Sequence, residues 1–473
     1  MFQEFSEAQE YIQTHDVEAV DLKYCDLRGQ WHHITVPSSQ FREKLLSRGI
    51  GFDGSSVGLK SVKAGDMVIV PDLSTGFMDP FWDSPVLSFI CTILTADSRE
   101  SFENDPRNIA NRAETYMRDA GIASGSMWGP EFEFYVFDQV VYENFMHKAG
   151  YMLVSEEADW SSSVETRNAS IPQHGGYHVA PPKDRFHNLR NEIVSHLENI
   201  GVPVKYHHHE VGSAGQMEIE TALMGVQKAG DVILMIKYVT KMSAQKHGKA
   251  ATFMPKPLYG EAGNGMHFHQ KLIKDTVNLF HDPAGYACLS EQARFYIGGL
   301  LYHGPAVLAF TNPSTNSYRR LVPGYEAPVN AFYSLGNRSA AIRIPKYALS
   351  PGSTRIEFRP PDATCNPYLA LAAMLMAGID GIQNEIDPDT LGYGPIEADI
   401  FSWSEEQRAK IKPLPTSLES ALDALEADHD FLLRGDVFTE ELIQTWVTHK
   451  RHSEVDEVRT RPHPYEMNLY FDV

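Results

Sequence analysis

Glu131 and Glu133 stand two residues apart in the aromatic run GPEFEFYVFD. On a strand both carboxylates share one face, and Phe132 and Phe134 take the other. Like charges so placed repel unless positive charge lies between them. For one such pair a solvated strand face is sufficient, but the pattern recurs. In HHHEVGSAGQMEIE a turn-like Gly-Ser-Ala-Gly separates Glu210 from Glu218 by an even spacing, compatible with neighbouring strands facing one side. In GNGMHFHQ, His267 and His269 alternate with Phe268. In STRIEFRPPD, Arg355, Glu357 and Arg359 alternate with Ile356 and Phe358. Four such strands set in apolar sequence predict a polar cavity lined by a curved sheet.

Glutamates with a histidine suit hard divalent cations, Mg²⁺ or Mn²⁺, better than zinc, which favours cysteine and histidine. The histidine run invites a zinc reading, yet His207, His208 and Glu210 do not make HExxH, because Ser213 occupies the place of the second histidine. His207, His208 and His209 are therefore expected to pack or to support ligands from behind. Glu220 shares the parity of Glu218 and has no assigned role.

Positive charge is concentrated later. Between Arg319 and Arg359 the chain carries Arg319, Arg320, Arg338, Arg343, Lys346, Arg355 and Arg359, opposed only by Glu326 and Glu357. A basic surface patch is the plain alternative, but the neighbouring runs LVPGYEAPVNAFY and AAIRIP are not surface-like. Arginine forks grip carboxylates and phosphates bidentately. Cations beside arginines are what phosphoryl transfer needs, since its catalysis is mostly positioning and charge neutralisation.

The elements that must position these groups read as α+β. Residues 1–104 are rich in short strands such as AVDLKYCDL, WHHITV, MVIVPD and VLSFICTIL, divided by Gly, Pro and Asp turns. A boundary follows at ENDPRNIANRAETYMRDAG, where Asp105 can cap a helix, Pro106 suits its first turn and Gly121 can end it. Residues 105–473 form the larger unit, with amphipathic helices in DRFHNLRNEIVSHLENIG and DVILMIKYVTKMSAQKHG and a buried one in NPYLALAAMLMAGIDGI. No GxxxxGK[ST] or GxGxxG loop follows a strand.

With 473 residues, two domains are expected, and a formal net charge of −21 argues against nucleic acid or an anionic membrane as partner. Cys25, Cys91, Cys288 and Cys365 form no CxxC and fit a reducing compartment. The acidic start MFQEFSEAQE lacks an apolar signal core, so the reading is a cytoplasmic protein.

The motifs DGSS, GPEFEF, HHHEVGSAGQ, NSYRRLVPGYEAPV, NRSAAIRIP and RIEFRPPD, in that order, resemble type I (bacterial-type) glutamine synthetase along nearly the whole chain. The resemblance implies a small N-terminal β-grasp domain and a larger catalytic domain, in which helices surround a curved antiparallel sheet. It implies a homo-oligomer, a dodecamer of two stacked hexameric rings with active sites between subunits. One cation would be held by Glu133, Glu210 and Glu218, and a second by Glu131, His267 and Glu357. Arg320 and Arg359 match substrate and phosphate-side arginines, and Gly263 belongs to the glutamate-binding loop. Arg338, Arg343 and Arg355 match groups near the ATP phosphates, with His269 and Lys271 by the nucleotide. Asp53 would come from the adjacent subunit as the base at an ammonium site shared with Ser56 and Tyr177. Glu326 would lie on a closing flap. The implied reaction is ATP-dependent formation of glutamine from glutamate and ammonium, through γ-glutamyl phosphate.

Several positions depart from the common pattern. Ala262 and Asn264 replace an Asn and a Ser, and Lys271 replaces a small hydroxyl residue. Phe401 falls where enteric-type members carry an adenylylated tyrosine, so control by adenylylation at that site is not expected. Tyr393 lies nearby without the expected neighbours. Two rival readings remain: a ligase joining glutamate to a polyamine or other amine, and a non-catalytic structural or regulatory oligomer. Retention of Asp53, Ser56, Tyr177 and Glu326 weighs against the first, and all six cation ligands against the second.

Overall fold

A computed structural model describes residues 1–59, 65–160, 170–324, 327–398, 400, 403–408 and 410–473. Two sheets organise it. The smaller has the order Trp31–Pro37, Ala19–Cys25, Val86–Thr95, Asp66–Pro71, Ile50–Asp53. Ala19–Cys25 runs parallel to Val86–Thr95, and its other neighbour is antiparallel. Val20, Leu22, Phe89 and Ile93 have no exposure and form its core, which the helix Phe5–Thr14 closes through Ala8.

The larger sheet runs Val204–His209, Gln216–Thr221, Gly125–Phe137, Met266–Lys274, Ile356–Phe358, Ala340–Ile344, Asn330–Leu335. It is antiparallel except at Asn330–Leu335 and Ala340–Ile344, which pair in parallel.

Alternation decides what each face of this sheet does. Phe132, Phe134, Ile219, Phe268, Ile356 and Phe358 have no exposure and pack on one side. Their charged neighbours are left to the other. Helices cover the apolar side, chiefly Val226–Lys246 and Pro367–Gln383; the latter is buried from Pro367 to Gly381. Asn366 caps it, its Oδ1 accepting from the backbone N–H of Tyr368 at 3.0 Å. The boundary helix is Pro106–Asp119, capped by Asp105, whose Oδ1 accepts from the backbone N–H of Arg107.

Arg107 fastens the two units. Its buried guanidinium donates to Asp231 of the helix Val226–Lys246 through Nε and Nη2, each at 2.9 Å, and to Asp72 of the small unit at 2.8 Å. Removing one partner of such a buried pair costs on the order of 3–5 kcal/mol.

Among the described residues, two elements expose clustered apolar side chains. Among those residues the strands Gln139–Phe145 and Lys148–Val154 pair only with each other, and the hairpin exposes Tyr142, Phe145, Met146 and Tyr151. The helix Pro464–Tyr470 exposes Tyr465, Met467 and Leu469. No helix among the described residues is long and apolar enough to cross a membrane.

Candidate active site

Strand register turns the scattered charged residues into one row. His208 lies opposite Glu218, Glu218 opposite Glu133, and Glu220 opposite Glu131. The row continues from Glu131 to His267, from His269 to Glu357, and from Glu357 to Arg343. Its members other than Glu220 and His269 floor a cavity of about 1350 Å³, whose walls include Tyr177, Gly263, Arg320, Arg338 and Arg359.

At one end His208, Glu210 and Glu218 offer ligand atoms within 4.8 Å of one another. His208 Nε2 is 3.2 Å from Glu218 Oε1. Burial pushes the Glu210 carboxyl up to about 9, helped by the charges of Glu133 and Glu218. Burial likewise raises Glu218 well above the usual carboxylate range, with Glu131 and Glu133 adding repulsion. Crowded, desolvated carboxylates of this kind require a cation to stay charged. The donor set thus fits a divalent cation. Glu133 faces the same group, while its Oε2 accepts from the backbone N–H of Gly265 at 2.5 Å.

The next group, Glu131, His267 and Glu357, is also within 4.8 Å. His267 Nδ1 lies 3.1 Å from Glu131 Oε1 and 3.8 Å from Glu357 Oε1. Here the charges are already compensated. Burial opposes the Glu357 carboxylate, but Arg359 and the neighbouring cationic groups hold it at about 2. Arg359 Nη1 and Arg343 Nη1 each donate to Glu357 at 2.5 Å. Glu131, buried as well, is held well below the usual range by the imidazoles of His267 and His269.

Arg320 is buried and aimed by backbone carbonyls, donating to Pro360 O at 2.7 Å and Arg359 O at 3.2 Å. The loop around Gly263 lies directly against it. A Cβ on Gly263 would meet Pro255 O at 2.5 Å and Arg320 Cγ at 2.8 Å, so only glycine allows this approach.

Two family models match the chain: the glutamine synthetase beta-Grasp domain over residues 16–96 and the glutamine synthetase catalytic domain over residues 103–470. The chain belongs to the glutamine synthetase family. It is 48% identical over 478 residues to the glutamine synthetase of Frankia alni, covering 100% of both chains. It is 48% identical over 468 residues to that of Aquifex aeolicus, covering 99% of this chain and 98% of the relative. Among solved structures, the Plasmodium falciparum glutamine synthetase matches with a TM-score of 0.90 at 29% identity, covering 99% of each chain. Membership implies use of ATP and divalent metal.

Against the family's residue pattern, this chain does not bring every expected residue to its own cavity. Asp53 and Ser56 are exposed on the small unit, outside the cavity lining. Ser55 and Ser56 hydroxyls donate to the Asp53 carboxylate at 2.6 and 2.7 Å and lower its pKa. Lys271 and Arg355 lie behind the lining, donating to Gly352 O at 2.7 Å and Ser353 O at 3.2 Å. Tyr347 links Arg355 back to the cavity, its ring 5.5 Å from that guanidinium and 5.8 Å from Arg343. Glu326 and Phe401 lie outside the described residues; Tyr393 is buried.

The departures at Ala262 and Asn264 have visible partners. Asn264 is buried, accepting from Gln216 at 3.0 Å and donating to Met254 O at 2.8 Å. Ala262 contributes its carbonyl, which accepts from Tyr135 Oη at 2.7 Å.

His207 and His209 do pack. Burial and the Arg190 charge lower His207 to about 4, and His209 Nε2 is 3.0 Å from the buried Glu157. His208 lies against Glu218 at the edge of the carboxylate group. The signal was available: His208 has the strand parity of Glu210. Asp184 and Glu157 had no such signal. Asp184 grips Arg190 through two hydrogen bonds of 2.9 and 2.6 Å behind His207, and Glu157 reaches His209 across 52 residues.

Proposed function

We propose that the chain ligates ammonia to the γ-carboxylate of L-glutamate with ATP, giving L-glutamine, ADP and phosphate through γ-glutamyl phosphate. The observation that carries this reading is the single row of carboxylates and imidazoles ending in arginines, within one cavity. Glu133, Glu210 and Glu218, with His208 beside them, would hold one Mg²⁺ or Mn²⁺; Glu131, His267 and Glu357 would hold another. Bound cations would neutralise phosphoryl oxygens and polarise the acceptor carboxylate.

The chain's own groups do the rest. Arg320, fixed by three backbone carbonyls, is placed to orient the substrate carboxylate. Arg359, Arg343 and Arg338 supply positive charge on the transferring side. One oxygen of the glutamate γ-carboxylate attacks the γ-phosphorus of ATP, the bond to the bridging oxygen breaks and ADP departs, so the carboxylate oxygen becomes part of a phosphate leaving group. Ammonia then forms the C–N bond and phosphate departs.

Asp53 would reach this site from a neighbouring subunit. Hydrogen bonds from Ser55 and Ser56 keep it charged, which attracts ammonium but makes it a modest proton acceptor. Ammonium has no lone pair and must pass one proton to Asp53 before it attacks; the nitrogen loses a further proton once the C–N bond has made it more acidic. The exposed hairpin and C-terminal helix support a homo-oligomer, which we read as a dodecamer of two hexameric rings. Large apolar patches of this kind mark interfaces.

The test is phosphate release from ATP with glutamate and Mg²⁺ or Mn²⁺, comparing ammonium with a panel of alkylamines and polyamines. Strong stimulation by ammonium is expected. Stimulation by an amine alone would transfer the reading to an amine ligase, and no release with any of them would favour a non-catalytic oligomer.

A further inference from the structure

A second cavity, of about 600 Å³, lies where the two units meet. Residues 28–31 of the small unit form one wall and the helix Val226–Lys246 another, with residues 251–254 and 363–364 closing the rest. The small unit's wall is fixed in place. Asn366, the cap of the helix Pro367–Gln383, donates from Nδ2 to Asp26 O at 2.9 Å and to Leu27 O at 3.2 Å. A Cβ on Gly29 would meet Asn366 Cα at 2.8 Å, so only glycine lets this turn sit so close.

The lining carries one sign of charge. Arg28, Lys237 and Lys241 contribute to it, and among the described residues no carboxylate does, in a chain of formal net charge −21. Arg28 is half exposed, with Asp26 beside it at 3.3 Å behind the wall. Lys237 donates to Ala363 O at 2.9 Å, which uses one of its three ammonium protons. Burial lowers the pKa of both lysines, so each favours an anionic neighbour. Flat apolar faces lie alongside. The rings of Trp31 and Tyr238 are 5.9 Å apart between centroids, and Phe253 lines the cavity with them. Tyr238 is anchored through its hydroxyl, which donates to Asp79 at 2.8 Å.

We propose that this junction cavity binds a small aromatic carboxylate, the carboxylate between Lys237 and Lys241 and the ring against Trp31 and Tyr238. Its volume and its mixture of aromatic faces with a few convergent charges suit an organic ligand. Inorganic phosphate would engage the cations and leave the rings unused. Two lining segments run directly into the wall of the large cavity. Met254 O accepts from Asn264 Nδ2 at 2.8 Å, and Asn264 adjoins Gly263, which packs on Arg320. Ala363 follows Pro360 and Pro361, whose carbonyls aim Arg320. A ligand that draws Lys237 away from Ala363 O slackens that segment, so occupancy weakens substrate binding at Arg320. This coupling rests on the reading of the large cavity as the glutamate site.

The test titrates 2-naphthoate into the full-length chain by isothermal titration calorimetry, with 2-naphthamide as the uncharged counterpart. One site per chain is expected, with a dissociation constant on the order of 10⁻⁴ M. Lys241→Glu changes an exposed helix position and should weaken binding by about tenfold, as should loss of the ligand's charge in 2-naphthamide. Saturating 2-naphthoate should raise the KM for glutamate by about fivefold and no further, at unchanged kcat. Absence of saturable binding, equal binding of 2-naphthamide, or unchanged affinity in Lys241→Glu would overturn the site. A KM that keeps rising with ligand would move 2-naphthoate to the large cavity, and a KM that stays fixed would overturn the coupling. Calorimetry needs no turnover, so failure of the ligase reading leaves the binding result standing.

Discussion

Glu218 and Glu357 are both buried on one sheet face, yet their charges meet opposite surroundings. Glu218 lies among Glu131, Glu133 and Glu210 and is driven towards its neutral form by burial and repulsion. Burial acts on Glu357 too, but Arg359 and Arg343 grip both of its oxygens and keep it ionised. The difference teaches that the first end of the row must receive its positive charge from a bound ion, whereas the second is built with part of it. A cation should therefore be held more tightly at the Glu218 end and exchange more freely at the Glu357 end.

The largest effect should come from Glu218→Gln. Removing one charge from the end that relies on an ion should abolish the tightest Mn²⁺ binding and lower ammonium-dependent turnover by about 10³-fold, several kcal/mol of charge stabilisation. Phosphate release and Mn²⁺ titration measure both quantities. Tight binding that survives in Glu218→Gln would break the comparison.

Arg359→Ala should act in two directions at once. Turnover should fall by about 10²-fold, as expected for loss of a preorganised charge at the transferring group. Mn²⁺ binding at Glu131, His267 and Glu357 should tighten, because Glu357 loses a built-in competitor. If affinity and turnover fall together, Arg359 organises the site rather than competing within it.

The cation-facing row was legible in the sequence because strand alternation is a local signal. Glu131 and Glu133 share a face by spacing alone, and the phenylalanines between them declare the buried side. The helix after Asp105 was equally legible from its cap and its proline. What escaped were contacts set by strand register and by packing between distant elements. Lys205 meets Glu220 only because Val204–His209 folds back on Gln216–Thr221, and Arg107 meets Asp231 across 124 residues. The parallel pairing of Asn330–Leu335 with Ala340–Ile344 follows from a short crossover that no spacing rule announces.

The smallest effect to be read is a pH slope in stability, and it separates the two ends without mutation. Glu210 has a folded pKa raised from 4.5 to about 9, the reverse of an ion-paired carboxylate. Between those values the metal-free folded chain binds more protons than the unfolded one, so its stability falls as pH rises through the window. One such group contributes up to about 1.4 kcal/mol per pH unit. Glu357, lowered to about 2, contributes the opposite sign, but its contribution is complete above the unfolded pKa of 4.5 and gives no slope there. Thermal melting of metal-stripped protein from pH 6 to pH 8 should therefore show declining stability. Saturating Mn²⁺ should flatten or reverse the decline, because the ion replaces the protons that Glu210 and Glu218 would otherwise keep. A decline unchanged by Mn²⁺ would place its origin away from this end of the row.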